Sequence, residues 1–255
     1  MSAVVSLAER DAFVARAHAR AVRRVAVCVG QGMLVIGAIF WGIFLVVTVA
    51  VPLIVHQAGG VMGGGAMTGA AYAAPWFAFS LGLITVAAVV VPHLAAGGTR
   101  RSLFVGATLA ALAAGVAYGA AYALLLLVER ATFGALGWEW ELLGSGPDTG
   151  AAWFLAAGVG EAIAISVYAL VGMAVQASYR TCGVWRGTAL LVPALALVVL
   201  VDTVTGRGSF GEVFDGLTGA WPGTPLGLLL ELVVLALAVG WAWWQLRLLR
   251  LRPTR

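Results

Sequence analysis

Arg23-Arg24 is followed without a break by VAVCVGQGMLVIGAIFWGIFLVVTVAVPLIV, residues 25–55, thirty-one positions with no charged side chain. A helix rises about 1.5 Å per residue, and roughly 20 apolar residues cross a hydrocarbon core about 30 Å thick. The run is therefore long enough to span a bilayer, and the arginines at its start mark one side. Five more apolar stretches follow, Tyr72 to Leu94, Ser102 to Val128, Ala151 to Gln176, Thr188 to Val204 and Leu226 to Leu246. The fifth is short and carries Pro193, where a kink is tolerated if neighbours satisfy the freed carbonyl. With 62% of residues apolar and 10% charged, too little polar surface remains to solvate a globule, and lipid is the expected solvent. Backbone groups in lipid must pair internally, so the spans are expected to be helices.

Arginine placement orients the bundle. Arg10, Arg16, Arg20, Arg23 and Arg24 precede the first span, Arg100 and Arg101 lie between the second and third, and Arg180 and Arg186 lie between the fourth and fifth. Arg247, Arg250, Arg252 and Arg255 follow the sixth. These places share one face, which the positive-inside rule assigns to the cytoplasm together with both termini. The opposite face carries Arg130 and Arg207 with Glu129, Glu139, Glu141, Asp148, Asp202, Glu212 and Asp215. The net charge of +4 then reflects topology and anionic-lipid contact, and no basic groove with interleaved aromatics points to nucleic acid.

The expected organisation is a cytoplasmic amphipathic interfacial helix over residues 1–24, a six-helix transmembrane domain over 25–250 and a cytoplasmic tail over 251–255. Ser6 and Glu9 have capping-box spacing, with arginines on one side of the segment and Leu7, Val14 and Ala21 on another. A frayed basic tail is the alternative. A cleaved signal peptide is not expected, because a 24-residue charged segment precedes the first apolar run.

Much chemistry is excluded. The chain has no lysine, which removes the P-loop lysine and Schiff-base mechanisms. His18 and His93 fall on the side opposite His56, too far apart to share a metal, and no His-Glu-x-x-His pair occurs. Gly144-Ser145-Gly146 has no adjacent histidine to activate the serine. Cys28 and Cys182 are expected on the reducing side as small packing residues.

The turn between the second and third spans is read as compact, with Pro92 ending one helix, Gly97-Gly98 turning, and Thr99 capping the next. Gly98-Thr99-Arg100-Arg101-x-x-Phe104-x-Gly106 resembles the segment before the third span of ABC-2-type permeases, the membrane subunits of ATP-binding-cassette exporters. Tyr179-Arg180-x-x-Gly183-x-x-x-Gly187 is similar to the turn those permeases often have between spans four and five. The resemblance extends to the six-span layout, and it implies cytoplasmic ATP-binding-cassette ATPase subunits and a second permease copy or relative as partners. It also implies no cofactor on this chain, with ATP and Mg on the ATPase. Gly98, Thr99, Arg100, Arg101, Phe104, Tyr179 and Arg180 become the candidate coupling residues.

Between spans five and six, Ser209 and Glu212 repeat the capping-box spacing. Phe210, Val213, Phe214 and Leu217 give one apolar face to a short outer helix closed by Trp221 and Pro222. In the family it resembles, such helices cap the translocation route, which makes these four the outer-gate candidates. Glu161 is the pathway candidate: near mid-depth an unpaired carboxylate costs a few kcal/mol or more. No arginine is expected at its depth, and Tyr118, Tyr122 and Ser166 are its candidate hydrogen-bond partners. Glu231, one turn inside the boundary, is expected to be solvated. Gly115-x-x-x-Gly119 and Gly158-x-x-x-Ala162-x-x-x-Ser166 permit close backbone approach, within the monomer or between subunits. The loop Gly59 to Gly69 is expected to lack structure.

The functional expectation is a permease subunit of an exporter in the cytoplasmic membrane, moving a hydrophobic or amphiphilic drug, peptide or lipid. The alternatives are a membrane enzyme or lipid-modifying protein using Glu161, and a non-transporting membrane anchor or sensor.

Overall fold

The computed structural model describes residues 6–140, 150–211 and 224–249. Its elements are α1 (Leu7–Gln57), α2 (Ala66–Ala95), α3 (Arg100–Ala135), α4 (Ala151–Ala189), α5 (Leu191–Thr205), the single turn α6 (Gly208–Gly211) and α7 (Pro225–Arg247), with no strand among the described residues. α1 to α4 and α7 are long and apolar enough to cross a membrane, so the chain has the character of a helical integral membrane protein. α5 has 15 residues and rises about 22 Å, less than a bilayer core. Among the described residues there are thus five full-length candidates and one short apolar helix where six spans were expected. Pro193 falls in the first turn of α5, where its missing N–H removes no bond, so no kink is needed.

The segment expected at the membrane surface and the first span are one uninterrupted helix. α1 starts in the anticipated capping box, with Glu9 N donating to Ser6 Oγ at 3.3 Å and Ser6 N donating to Glu9 Oε2 at 3.0 Å. It continues for 51 residues, roughly 76 Å. Val25, Val29, Met33, Gly37 and Trp41 recur every fourth residue as its buried stripe, packed chiefly on α3. Val35, Ile39, Ile43 and Val46 on its other faces are exposed, as lipid-facing positions are.

α4 is the hub, packed against α2, α3, α5 and α7 and buried continuously from Ile163 to Val175. Small residues let its neighbours reach it. A Cβ on Gly119 would stand 2.7 Å from Ala162 Cβ, and one on Gly158 would stand 2.9 Å from Ala123 Cβ. The two small-residue stripes therefore face each other inside the monomer. Gly82 of α2 and Gly172 of α4 do the same: their added Cβ atoms would stand 3.1 Å from Met173 N and 3.0 Å from the Phe79 carbonyl carbon.

Several helix boundaries differ from the sequence reading: α3 runs on past Val128 to Ala135, and α4 runs past Gln176 to its break at Gly183. α2 starts at Ala66, inside the glycine-rich stretch expected to be loop, because a distant side chain caps it. It also continues past Pro92 to Ala95.

Candidate functional site

The functional candidates separate to the two ends of the bundle. At the arginine-rich end, α2 and α3 meet in a tight corner. Gly97 takes φ 81°, which an L side chain rarely adopts, and a Cβ on Gly98 would stand 2.5 Å from His93 Cε1. Thr99 is the N-cap of α3, its Oγ1 accepting from Ser102 N at 3.0 Å while Ser102 Oγ accepts from Thr99 N at 3.1 Å. His93 Nε2 lies 3.0 Å from Ser102 Oγ and 3.3 Å from Thr99 O, fastening the end of α2 to the start of α3. A cleft of about 340 Å³ separates this corner from α1, lined by Arg20, Arg24, His93, Gly97 and Gly98.

The rest of the first motif turns the other way, towards α7. Arg100 Nη1 donates to Arg247 O at 3.5 Å, and Phe104 packs on Trp243 with ring centroids 5.0 Å apart. Arg101 is exposed beside them.

The second motif forms a corner in the chain. Gly183, at φ 76° and ψ −176°, breaks α4, and the helical turn beyond it folds back. Gly187 then lies against Tyr179, where a Cβ would stand 2.7 Å from Cδ1, and Tyr179 Oη is 3.2 Å from Thr188 Oγ1. Arg180 Nη2 donates to Ala87 O at 2.9 Å, tying α4 to α2. The two glycines serve different needs: Gly187 leaves room for the Tyr179 ring, whereas Gly183 has open space around it and supplies the positive φ of the break.

The opposite end gathers carboxylates. Glu129 is fully buried and caps α2 from α3: Oε1 accepts from Met67 N at 2.9 Å and Oε2 from Trp140 Nε1 at 3.1 Å, with the Ala66 N–H a further donor. Asp202 near the end of α5 accepts from Tyr168 Oη at 3.0 and 2.9 Å and from Phe210 N at 3.2 Å. Gly206 and Gly208, at φ 62° and 73°, fold the chain back so that the Phe210 N–H reaches it, while Tyr168 comes from α4. Trp76 stacks edge-on to Tyr168 and donates to Ser209 Oγ at 2.8 Å.

Glu161 is 1% exposed, and its Oε1 has no hydrogen-bond partner among the described residues. Two of the three partners expected for it are engaged elsewhere: Tyr118 Oη donates to Met33 O, and Ser166 Oγ donates to Ala162 O. The expectation that no arginine reaches its depth is also corrected. Arg207 extends inward to donate from Nη1 to Ala157 O at 2.6 Å, one turn from Glu161, with its guanidinium 5.9 Å from the Trp153 ring centroid. Its field reaches both Glu161 and Glu231. Glu231 is buried at 5% exposure, not solvated, and a Cβ on Gly160 would stand 3.7 Å from its Oε1 and 3.8 Å from Arg207 Nη1. Helices α4 and α7 thus place Glu161 and Glu231 within the field of one guanidinium, and Asp202 of α5 is near enough to act on Glu161. Hydropathy misses this, because Arg207 sits in a polar loop and only its long stem brings the charge inward. The glycines flanking it were the available signal.

Of the outer-gate candidates, Phe210 packs on the core from α6, while Val213, Phe214 and Leu217 lie outside the described residues. Among the described residues no group of three His, Cys, Asp or Glu side chains is arranged to hold a metal. Comparison with protein-family models, with curated proteins and with solved structures finds no match to the chain.

Proposed function

We propose that the chain is the membrane-spanning subunit of an ATP-driven exporter, paired with a second copy or a relative and driven by separate cytoplasmic ATPase subunits. Counting α5 as the fifth span gives six crossings and puts both ends on the arginine-bearing side, which the positive-inside rule makes cytoplasmic. The observation that carries the reading is the cleft between α1 and the corner at Gly98 and Thr99. It is basic and walled by α1, α2 and the turn into α3, so a protein element seated there would push on long helices rather than on a loose loop. Tyr179 and Arg180 form a second stiff corner at the same end. The cluster of Glu161, Asp202, Glu231 and Arg207 supplies the polar stretch that a route between two such subunits would expose for an amphiphilic cargo.

The test is purification from mild detergent followed by identification of what accompanies the chain. An ATPase in equal amount is the expected result. Reversing the cleft charges with Arg20→Glu and Arg24→Glu should then lower transport-coupled ATP hydrolysis in reconstituted vesicles, with membrane insertion intact. No accompanying ATPase, or coupling that ignores these reversals, would defeat the proposal.

A further inference from the structure

On the side of the α2–α3 corner away from the cleft, α3 and α7 leave an open groove of about 450 Å³ between them. Arg101 stands at one end, in the first turn of α3, and the groove follows α7 from Trp243 back to Ala236, roughly 10 Å towards the middle of the bundle. Phe104, Val105, Val239 and Gly240 make its walls apolar. The groove is open at Gly240, where nothing lies within 4 Å of a Cβ built there.

The chemistry of the groove changes along its length. Arg101 makes no hydrogen bond or ion pair among the described residues, and the positive end of the α3 dipole adds to its charge. Arg101 is the charged residue that lines the groove; its neighbour Arg100 donates to the Arg247 carbonyl at the end of α7. Trp243 sits where an indole is favoured, between headgroups and acyl chains. A ligand that matches has a negative head, a body about as long as the first part of an acyl chain, and entry from the side.

We infer that this groove is a binding site for one anionic phospholipid of the arginine-side leaflet, its phosphate at Arg101 and its acyl chain over Gly240 against Trp243. The inference rests on membrane embedding alone and is independent of any ATPase. Basic pockets between membrane helices recognise anionic headgroups through such partial desolvation, at about 1 kcal/mol per arginine. A neutral lipid gains only the apolar contact, so the site discriminates by charge.

The test is native mass spectrometry of the purified full chain titrated with dioleoylphosphatidylglycerol or dioleoylphosphatidylcholine. The wild type should retain one phosphatidylglycerol in preference to phosphatidylcholine. Arg101→Gln should weaken that retention about fivefold, leaving phosphatidylcholine unchanged. Gly240→Leu should lose both lipids, and because a Cβ there has no atom within 4 Å the added side chain enters the open groove rather than a packed helix contact, with an unchanged detergent melt expected. Equal retention of the two lipids by the wild type, or Gly240→Leu that still holds phosphatidylglycerol, overturns the proposal. So does a dimer that Gly240→Leu abolishes while lipid retention stays intact, since the groove then belongs to a second copy.

Discussion

Removing the Glu129 carboxylate should unfasten the start of α2. Gly65, at the N-cap position, has no side chain to offer, so the first N–H groups of α2 depend on a residue more than sixty positions away. Glu129→Ala leaves three donors without their acceptor: Ala66 N, Met67 N and Trp140 Nε1. At about 1 kcal/mol net for each bond, the loss is about 3 kcal/mol. For a chain of this size that corresponds to a fall in Tm of about 6–12 °C. Glu129→Gln keeps an acceptor for Met67 N but turns an amide towards another donor, so it should cost about half as much. The assay is thermal melting in detergent combined with amide hydrogen exchange over residues 66–69, which should lose protection first. Glu129→Ala with an unchanged Tm and unchanged exchange there would refute this account of why α2 begins where it does.

Gly82→Val drives a side chain into the backbone of α4 near Met173 and should cost several kcal/mol or abolish folding, whereas Gly42→Val, with nothing within 4 Å, should melt like the wild type; parallel detergent melts compare them. At the exposed start of α1, the Ser6 backbone N–H and then its hydroxyl hold Glu9 below its ordinary value of 4.5. A depressed carboxylate contributes fully above the unfolded value and loses its contribution as pH falls through the folded one. Exchange protection of the first turn should therefore be constant at neutral pH and decline as pH falls below the unfolded value of 4.5, and Ser6→Ala, which keeps the backbone N–H but loses the hydroxyl, should weaken that dependence without removing it.

The helical membrane character was legible because hydropathy is a local sum: each long helix contains a window that a reader of residues alone can find. Capping was legible at Ser6 and Thr99, where cap and partner are three residues apart. It was not legible at Ala66, because the cap comes from another helix, and the glycine-rich stretch before it reads as loop. The environment of Glu161 was half legible. Its burial followed from depth in the span, but two of its supposed partners spend their hydroxyls on backbone carbonyls, and the arginine beside it enters from a turn. The small-residue stripes announced close packing without naming their mates, since sequence spacing identifies a face and not what meets it. In the Tyr179 to Gly187 motif a turn was expected from the resemblance alone, and the chain does bend there, at Gly183, whose positive φ only glycine accepts readily.

The unbroken course of α1 has a mechanical consequence. Only 17% of its most apolar window is covered by the rest of the fold, so it behaves as a stiff oar held mainly by α3. Gly37, crossing beneath Tyr118, is a natural rowlock. A swing of about 5° around that point moves Leu7, thirty residues away, by about 4 Å. A modest pull at Leu7 thus becomes a smaller, opposite stroke at Gln57, the other end of the helix.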